Sequence, residues 1–240
     1  MSISSAQQTA VRPHVKVRWA LLGTTSLILL KPILKCLLRP VAAHLARLGI
    51  TANQVTVTSL VGSVAIGLMA IANETEPLCY GAIALWLMLR MCLAAIDGTL
   101  AIDFGQKSRL GGILNEAGDV ASDIALILPF AFVPPFGPGG IALVIIFAVL
   151  SEVAGMAGPA LGGTRRTDGP MGKADRSIVF AGLGMWIACF GSLSAGAALL
   201  LPAVAFASLV TILNRVRFTE RDCEPEFESN NRSAAGDAVC

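Results

Sequence analysis

The sequence predicts an all-α integral membrane protein with six transmembrane helices and an N-terminal amphipathic helix on the cytoplasmic face. Hydrophobic residues make up 55% of the 240 residues and charged residues only 14%, whereas soluble domains carry roughly 25% charge. The mean hydropathy is +0.71. Apolar runs of roughly 18–24 residues recur along the chain, enough to cross a hydrocarbon core of about 30 Å. These observations exclude an ordinary soluble domain.

Each predicted span is mostly apolar, and the stretches between spans hold the charged and turn-forming residues. The predicted spans cover residues 55–72, 80–100, 110–133, 140–161, 177–194 and 196–213. Only a short stretch rich in Gly and Ser separates the last two spans. We divide the chain into an N-terminal segment (1–30), a membrane domain (31–217) and a tail (218–240). The tail is polar, acidic and poor in hydrophobic residues, and we expect it to be disordered.

An amphipathic helix is predicted from Lys31 onward, before the first span. Leu34 and Leu45 share one face of such a helix, while Lys35 and Arg39 lie on the other. This pattern is typical of a helix that lies at the cytoplasmic surface of a membrane. The alternative is a helix that packs on the bundle.

The orientation of the chain follows from its basic residues. Of the 18 Lys and Arg residues, all except Arg90 fall on the side of the bundle that holds both termini. The loops on the other side (73–79, 134–139 and 191–196) hold none. Because cytoplasmic loops are enriched in Lys and Arg, we expect both termini to be cytoplasmic in a bacterial-type inner membrane.

Polar oxygen ligands cluster in the second and third predicted spans. Carboxylates cost roughly 2.5–3.5 kcal/mol each at the centre of a membrane helix, so such a cluster indicates function. Asn115, Asp119 and Asp123 are spaced four residues apart and share one helix face, and Asp97 comes from the preceding helix. Oxygen ligands from two helices suit a hard divalent cation such as Mg²⁺ or Mn²⁺.

This part of the chain resembles the signature of the CDP-alcohol phosphatidyltransferase family, D-x-x-D-G-x-x-A-R-x8-G-x3-D-x3-D. The matching residues are Asp97, Gly98, Ala101, Gly111 and Asp119. The resemblance covers about residues 31–215. It implies a membrane enzyme that transfers a substituted phosphate from a CDP-linked lipid to an acceptor alcohol and releases CMP, in phospholipid biosynthesis.

The resemblance also implies roles for individual residues. In the family, the acids hold divalent metal against the donor pyrophosphate, and the last acid takes the proton of the acceptor hydroxyl. Carried over, Asp97 is a metal ligand and Asp119 is a metal ligand and the general base, with Asn115 and Asp123 as further metal oxygens. The small residues Gly98, Ala101 and Gly111 let the nucleotide approach. Asn53 and Thr56 are expected to contact the nucleotide or to cap a helix.

Three positions depart from the signature. Ala94 replaces the first acid, Ile102 the arginine and Asn115 the third acid. Two anionic ligands are therefore missing, which favours one bound metal ion over two, with Asp123 as partial compensation. The alternative function is a catalytically lapsed member that binds lipid or nucleotide or supports another membrane complex.

The loop between the fourth and fifth spans is rich in Gly and basic residues. Arg166, Lys173 and Arg176 suit a phosphate-binding role. A loop that only sets topology, or binds anionic headgroups, is the alternative. Arg90 and Glu152 lie within spans, and we expect each in a structural ion pair. We expect membrane lipids as partners and no nucleic acid, and the glycines at positions 158 and 162 permit a homodimer.

Overall fold

The computed structural model describes residues 30–161 and 165–237, and these residues form seven α-helices joined by short connections. The helices are α1 (Leu30–Arg47), α2 (Ala52–Ala72), α3 (Pro77–Asp103), α4 (Arg109–Ile127), α5 (Pro138–Ala160), α6 (Lys173–Phe190) and α7 (Leu200–Asp237). Two 3-10 segments, Leu128–Phe132 and Ala195–Leu199, follow α4 and precede α7. The prediction of an all-α membrane protein is confirmed.

Local sequence signals fix where the helices begin. Thr51 caps α2 in a capping box with Gln54, in which each side chain bonds to the other residue's backbone N–H. Pro77 stands in the first turn of α3, where its missing N–H costs nothing. The Ser108 hydroxyl accepts from the Gly111 N–H at 2.9 Å and caps α4. The start of α4, and with it the orientation of Asn115 and Asp119, is therefore fixed.

Four stretches are long and apolar enough to cross a membrane: Ala52–Ala72, Pro77–Asp103, Pro138–Ala160 and Ala195–Glu220. The helices α4 and α6 fall outside this set because charged side chains interrupt them, including Asp119 and Asp123 in α4 and Lys173 and Arg176 in α6. The six-span topology stays a prediction. The same holds for the homodimer, since Gly162 lies outside the described residues.

The apolar core joins α3, α5, α6 and α7 at the end of the bundle away from the predicted site. The ring of Phe130 contacts those of Tyr80 and Phe180 edge to face, with centroids 5.4 and 5.1 Å apart. Glycines allow close helix contacts, as membrane helices require: a Cβ added at Gly67 of α2 would lie 2.2 Å from the Ala125 carbonyl oxygen of α4. The helices that carry the site are therefore held in a fixed register.

Helix α1 occupies the segment for which an amphipathic helix is predicted. It packs on the C-terminal end of α3, where Ala42 is fully buried and the Lys35 ammonium bonds to Asp103 at 2.9 Å. Ile33 and Leu37 on α1 remain exposed. The helix thus packs on the bundle and also keeps an outward apolar surface. Its location on the cytoplasmic membrane surface stays a prediction.

The C-terminal segment includes the tail for which disorder is predicted over residues 218–240. Helix α7 continues to Asp237, and Phe218 and Thr219 are buried. The division of the chain at residue 218 and the disorder of the tail stay predictions. Arg and Glu residues, which favour helices, follow the apolar part of α7 directly and extend it. Residues 1–29 and 238–240 lie outside the described residues.

Candidate active site

Asp97 lies near the C-terminal end of α3 and faces α2. Its side chain is buried, and its carboxylate accepts a hydrogen bond from the Thr56 hydroxyl at 2.9 Å. The Thr56 oxygen also lies 3.1 Å from the Ala52 carbonyl one turn earlier in α2. Thr56, which the sequence places near the nucleotide or at a helix cap, therefore holds Asp97 in position against α2.

Asp119 and Asp123 extend from α4 toward Arg90 of α3. The Nη2 atom of Arg90 lies 2.8 Å from the Asp119 main-chain oxygen and 3.2 Å from its carboxylate. Its Nη1 atom bonds to the Asp123 carboxylate. The expected structural ion pair of Arg90 is confirmed, and it joins the two helices that carry the predicted acids.

The two carboxylates of α4 differ in what surrounds them. The second Asp123 oxygen accepts from Arg176 of α6 at 3.1 Å, so guanidinium groups contact both of its oxygens. Asp119 is paired with Lys173 as well as with Arg90, and its side chain is 23% exposed. The sequence predicts that both bind metal. The structure places Asp123 in a buried ion network and leaves Asp119 at the open end.

Next to Asp123 lies a group of charges that we name the arginine cluster: the buried Glu152 of α5 with the buried Arg176 and Arg215 and the exposed Arg165 around it. The Oε1 atom of Glu152 lies 3.1 Å from Arg176 and 3.7 Å from Arg215, and its Oε2 atom lies 3.6 Å from Arg165. Arg176, only 1% exposed, also donates to the Ser151 hydroxyl at 3.1 Å. The expected ion pair of Glu152 is confirmed, with three arginines as partners.

The three predicted phosphate-binding residues lie in different surroundings. Lys173 reaches Asp119 at the open end. Arg176 belongs to the arginine cluster. The buried Arg166 donates to the Phe218 carbonyl at 3.1 Å and lies 3.8 Å from Asp168. Of these three side chains, Lys173 alone is placed to contact a phosphate next to Asp119.

One face of α3 beside Asp97 is open. A Cβ added at Gly98 would meet no atom within 4 Å, and Ala94 and Ile102, one turn before and after it, are exposed. Two of the departures from the signature therefore lie on the open face. Ala101 points elsewhere and packs on the apolar cluster between α1, α2 and α3.

The predicted nucleotide-facing residues Asn53 and Gly111 lie at the mouth of this opening. A Cβ added at Gly111 would lie 2.5 Å from the Asn53 side-chain oxygen. The missing side chain at position 111 therefore lets Asn53 pack against the first turn of α4. This contact sets the spacing of α2 and α4 at the mouth.

Three side chains predicted as metal ligands lie on two neighbouring helices: Asp97 near the C-terminal end of α3, and Asn115 and Asp119 one helical turn apart on α4. No group of three or more His, Cys, Asp or Glu side chains in the described part of the chain could hold a metal ion. Magnesium is commonly bound by one or two carboxylates, substrate phosphates and water rather than by a protein cage.

Sequence reasoning did not find the roles of Glu116, Arg165 and Arg215. Arg165 pairs with Glu116 of α4 as well as with Glu152, and Arg215 donates to the Ser151 carbonyl. The sequence gives only a weak signal for these roles. Arg215 lies just after the last predicted span, where positive charges that set topology are also expected.

The helix arrangement is similar to that of solved structures of one enzyme. The crystal structure of *Mycobacterium tuberculosis* phosphatidylinositol phosphate synthase (PgsA1) with CDP-DAG bound matches with a TM-score of 0.63 and 22% identity, over 75% of this chain and 92% of that chain. The PgsA1 complex with manganese and citrate matches with a TM-score of 0.62 and 22% identity, over 75% and 87%. The chain thus shares the fold of PgsA1.

Sequence comparison finds a relative with a higher identity to this chain than PgsA1 has. No family model matches the chain. Inner membrane protein YnbA of *Escherichia coli* (strain K12) is 36% identical over 188 residues, which cover 78% of this chain and 93% of YnbA. The chain belongs to the family of YnbA.

Proposed function

We propose that the chain transfers a substituted phosphate group from a CDP-linked lipid to an acceptor alcohol, with release of CMP, in phospholipid biosynthesis. The observation that carries the proposal is that two carboxylates are held on neighbouring helices, Asp97 by Thr56 and Asp119 by Arg90, while α3 is open at Gly98. PgsA1, whose fold the chain shares, binds CDP-DAG in one structure and manganese in another.

The proposed setting is the inner membrane, with six spans and both termini in the cytoplasm. In this topology α4 and α6 are the two charged spans. Their charged side chains Asp119, Asp123, Lys173 and Arg176 pair with one another or with neighbouring helices, which is how charges are accommodated within a membrane bundle. The end of the bundle that holds Asp97 and α1 then faces the cytoplasm, where nucleotides and divalent cations are available.

The donor pyrophosphate would bind at the open end of the site. Asp97, Asp119 and the Asn115 carbonyl are the proposed ligands of one Mg²⁺ or Mn²⁺ ion. When bound, this ion neutralises the pyrophosphate and stabilises the departing CMP. The cytidine would lie along the open face at Gly98, toward Asn53 and the first turn of α4.

The chain's own residues would carry the proton and hold the reacting groups. As the donor binds, the Lys173 ammonium would turn from Asp119 to a pyrophosphate oxygen. Lys173 and Arg90 both contact the Oδ1 atom of Asp119, so its Oδ2 atom would accept the proton of the acceptor hydroxyl. The hydroxyl oxygen forms a bond to the β-phosphorus, and the bond from that phosphorus to CMP breaks. Arg90 keeps Asp119 in place through its main-chain and side-chain contacts.

The test is CMP release by the purified protein with CDP-diacylglycerol, Mg²⁺ or Mn²⁺, and a panel of acceptor alcohols. Asp97→Asn and Asp119→Asn should each lower the rate by roughly 10²–10⁴-fold, the usual range for a group that transfers a proton or holds the metal. Asp103→Asn is the matched control, because Asp103 pairs with Lys35 on α1. Metal-dependent CMP that persists in both site variants would refute this site.

A further inference from the structure

The arginine cluster points to the chemical class of the acceptor. We infer that the acceptor is an alcohol without a phosphate or other anionic group, because Glu152 already neutralises the arginines that an anionic acceptor would require. This inference rests on the proposed function and names the substrate class of the same site.

Glu152 occupies the position that an anion would take among these arginines. Its two oxygens face Arg176, Arg215 and Arg165 at 3.1, 3.7 and 3.6 Å, and the residue is 7% exposed. Two oxygens held between guanidinium groups are the arrangement by which arginines bind carboxylates and phosphates. The protein thus supplies the anion from its own chain.

The charges of the whole site are balanced without a second substrate anion. The described side chains of the site comprise five cations and five carboxylates, namely Arg90, Arg165, Lys173, Arg176 and Arg215 with Asp97, Glu116, Asp119, Asp123 and Glu152. One divalent cation balances the donor pyrophosphate. An additional phosphate would then be a buried charge without a counter-ion, which is costly.

One further observation agrees with a neutral acceptor. Ile102 stands on the open face of α3 where the resembled signature has arginine, so that face carries one cation fewer.

The first test compares acceptors that differ only by a phosphate. With CDP-diacylglycerol as donor, kcat/KM for CMP release is measured with glycerol against glycerol 3-phosphate, and with inositol against inositol phosphate. The neutral member of each pair should be preferred by roughly tenfold or more, since an unmatched charge costs several kcal/mol. Preference for the phosphate esters would confirm the proposed function and overturn the inference.

The second test removes the internal anion. Glu152→Gln keeps the shape and frees the arginines, so the preference should shift toward the phosphate ester by about tenfold or more. Glu76→Gln, at the exposed start of α3, should leave it unchanged. Because Glu152 is buried, Glu116→Gln is the second variant: it removes one of the two carboxylate partners of Arg165 at the half-exposed edge and should shift the preference in the same direction. Folded variants with the parent's preference would overturn the inference.

A third measurement does not depend on turnover. Inorganic phosphate should raise the thermal midpoint of Glu152→Gln, or of Glu116→Gln, and leave that of the parent unchanged. If no acceptor gives CMP, the proposed function fails, and this measurement decides the charge argument alone. Equal stabilisation of parent and variants by phosphate would overturn it.

Discussion

The open end of the site and the arginine cluster are both charged, yet they differ in how far their charges are enclosed. At the open end, the Asp119 side chain is 23% exposed, and a Cβ added at Gly98 of α3 would meet no atom within 4 Å. In the arginine cluster, Arg176 is 1% exposed and bonds to two carboxylates and a serine. The first region can exchange partners with a ligand. In the arginine cluster, the charged groups already pair with other side chains of the protein.

This difference explains where the chain departs from the signature that it resembles. Ala94 and Ile102 lie on the exposed face of α3, where a lost charge leaves no buried partner unpaired. A lost charge in the arginine cluster would leave a partner buried and unpaired. The substitutions thus alter the exposed face of α3 and leave the buried ion pairs in place.

The largest effect on stability is expected from breaking the arginine cluster. Arg176→Met leaves Asp123 and Glu152 each without one guanidinium partner, and we expect a loss of about 3–5 kcal/mol in the free energy of unfolding. Arg217→Met, an exposed position on α7, is the control and should change it by less than about 0.5 kcal/mol. Unfolding in detergent measures both. Equal stability of the two variants would mean that the cluster does not hold the helices together.

A smaller loss is expected where α2 meets α4. Gly67→Ala would place a Cβ 2.2 Å from the Ala125 backbone oxygen, so the two helices must separate, at a cost of about 1–3 kcal/mol. Gly112→Ala is the matched control, because a Cβ there meets no atom within 4 Å. A thermal midpoint for Gly67→Ala equal to that of the control would contradict this packing.

Gly98→Ala is expected to raise the stability of the protein and to weaken its binding of the donor. The added methyl meets no protein atom, so the helix gains about 0.5–1 kcal/mol from the better helix former. The same methyl enters the space proposed for the donor, and the KM for CDP-diacylglycerol should rise. Thermal melting and CMP-release kinetics give the two quantities. An unchanged KM would place the nucleotide on another face of α3.

Restoring the missing charges should strengthen metal binding at the open end. Ala94→Asp together with Ile102→Arg supplies the first acid and the arginine of the resembled signature at exposed positions. We expect the apparent affinity for Mg²⁺ or Mn²⁺ to rise on the order of tenfold, because affinity follows the number of anionic ligands. CMP release titrated with metal measures it. Activity only in this double variant would identify the parent as a lapsed enzyme.

The smallest effect is expected at the surface contact between α1 and α3. Lys35→Met removes the bond to Asp103, and because the Lys35 side chain is 42% exposed the loss should be at most about 1 kcal/mol. A melting experiment at low and high salt checks this. A larger, salt-insensitive loss would show that α1 depends on this contact for docking.

Sequence reasoning predicts features that lie within one helix or that join residues close together in the chain. Apolar runs gave helices close to the observed ones, and the retained signature residues led to Asp97 and Asp119. The sequence also predicts that Arg90 and Glu152 each form an ion pair, without identifying the partner residues. Asp123 was assigned to the metal because it shares a helix face with Asp119, and periodicity does reveal faces.

The remaining features depend on which helices adjoin one another. Arg176 lies 53 residues after Asp123 and Arg215 lies 63 residues after Glu152 in the chain, and no sequence periodicity reports contacts at such separations. Helix α7 extends to Asp237, beyond the last predicted span, and a polar composition by itself does not indicate such an extension. The buried Phe218 shows that packing against the loop before α6 decides the structure there.

Product stoichiometry tests the central claim most directly. The purified protein is incubated with CDP-diacylglycerol, Mg²⁺ and a neutral alcohol, and CMP and the phosphodiester lipid are quantified together by mass spectrometry. Transfer at Asp97 and Asp119 predicts equal amounts of the two products, and neither product with Asp119→Asn. CMP with phosphatidic acid alone would indicate hydrolysis, and donor binding without any CMP would contradict the account in favour of a binding protein.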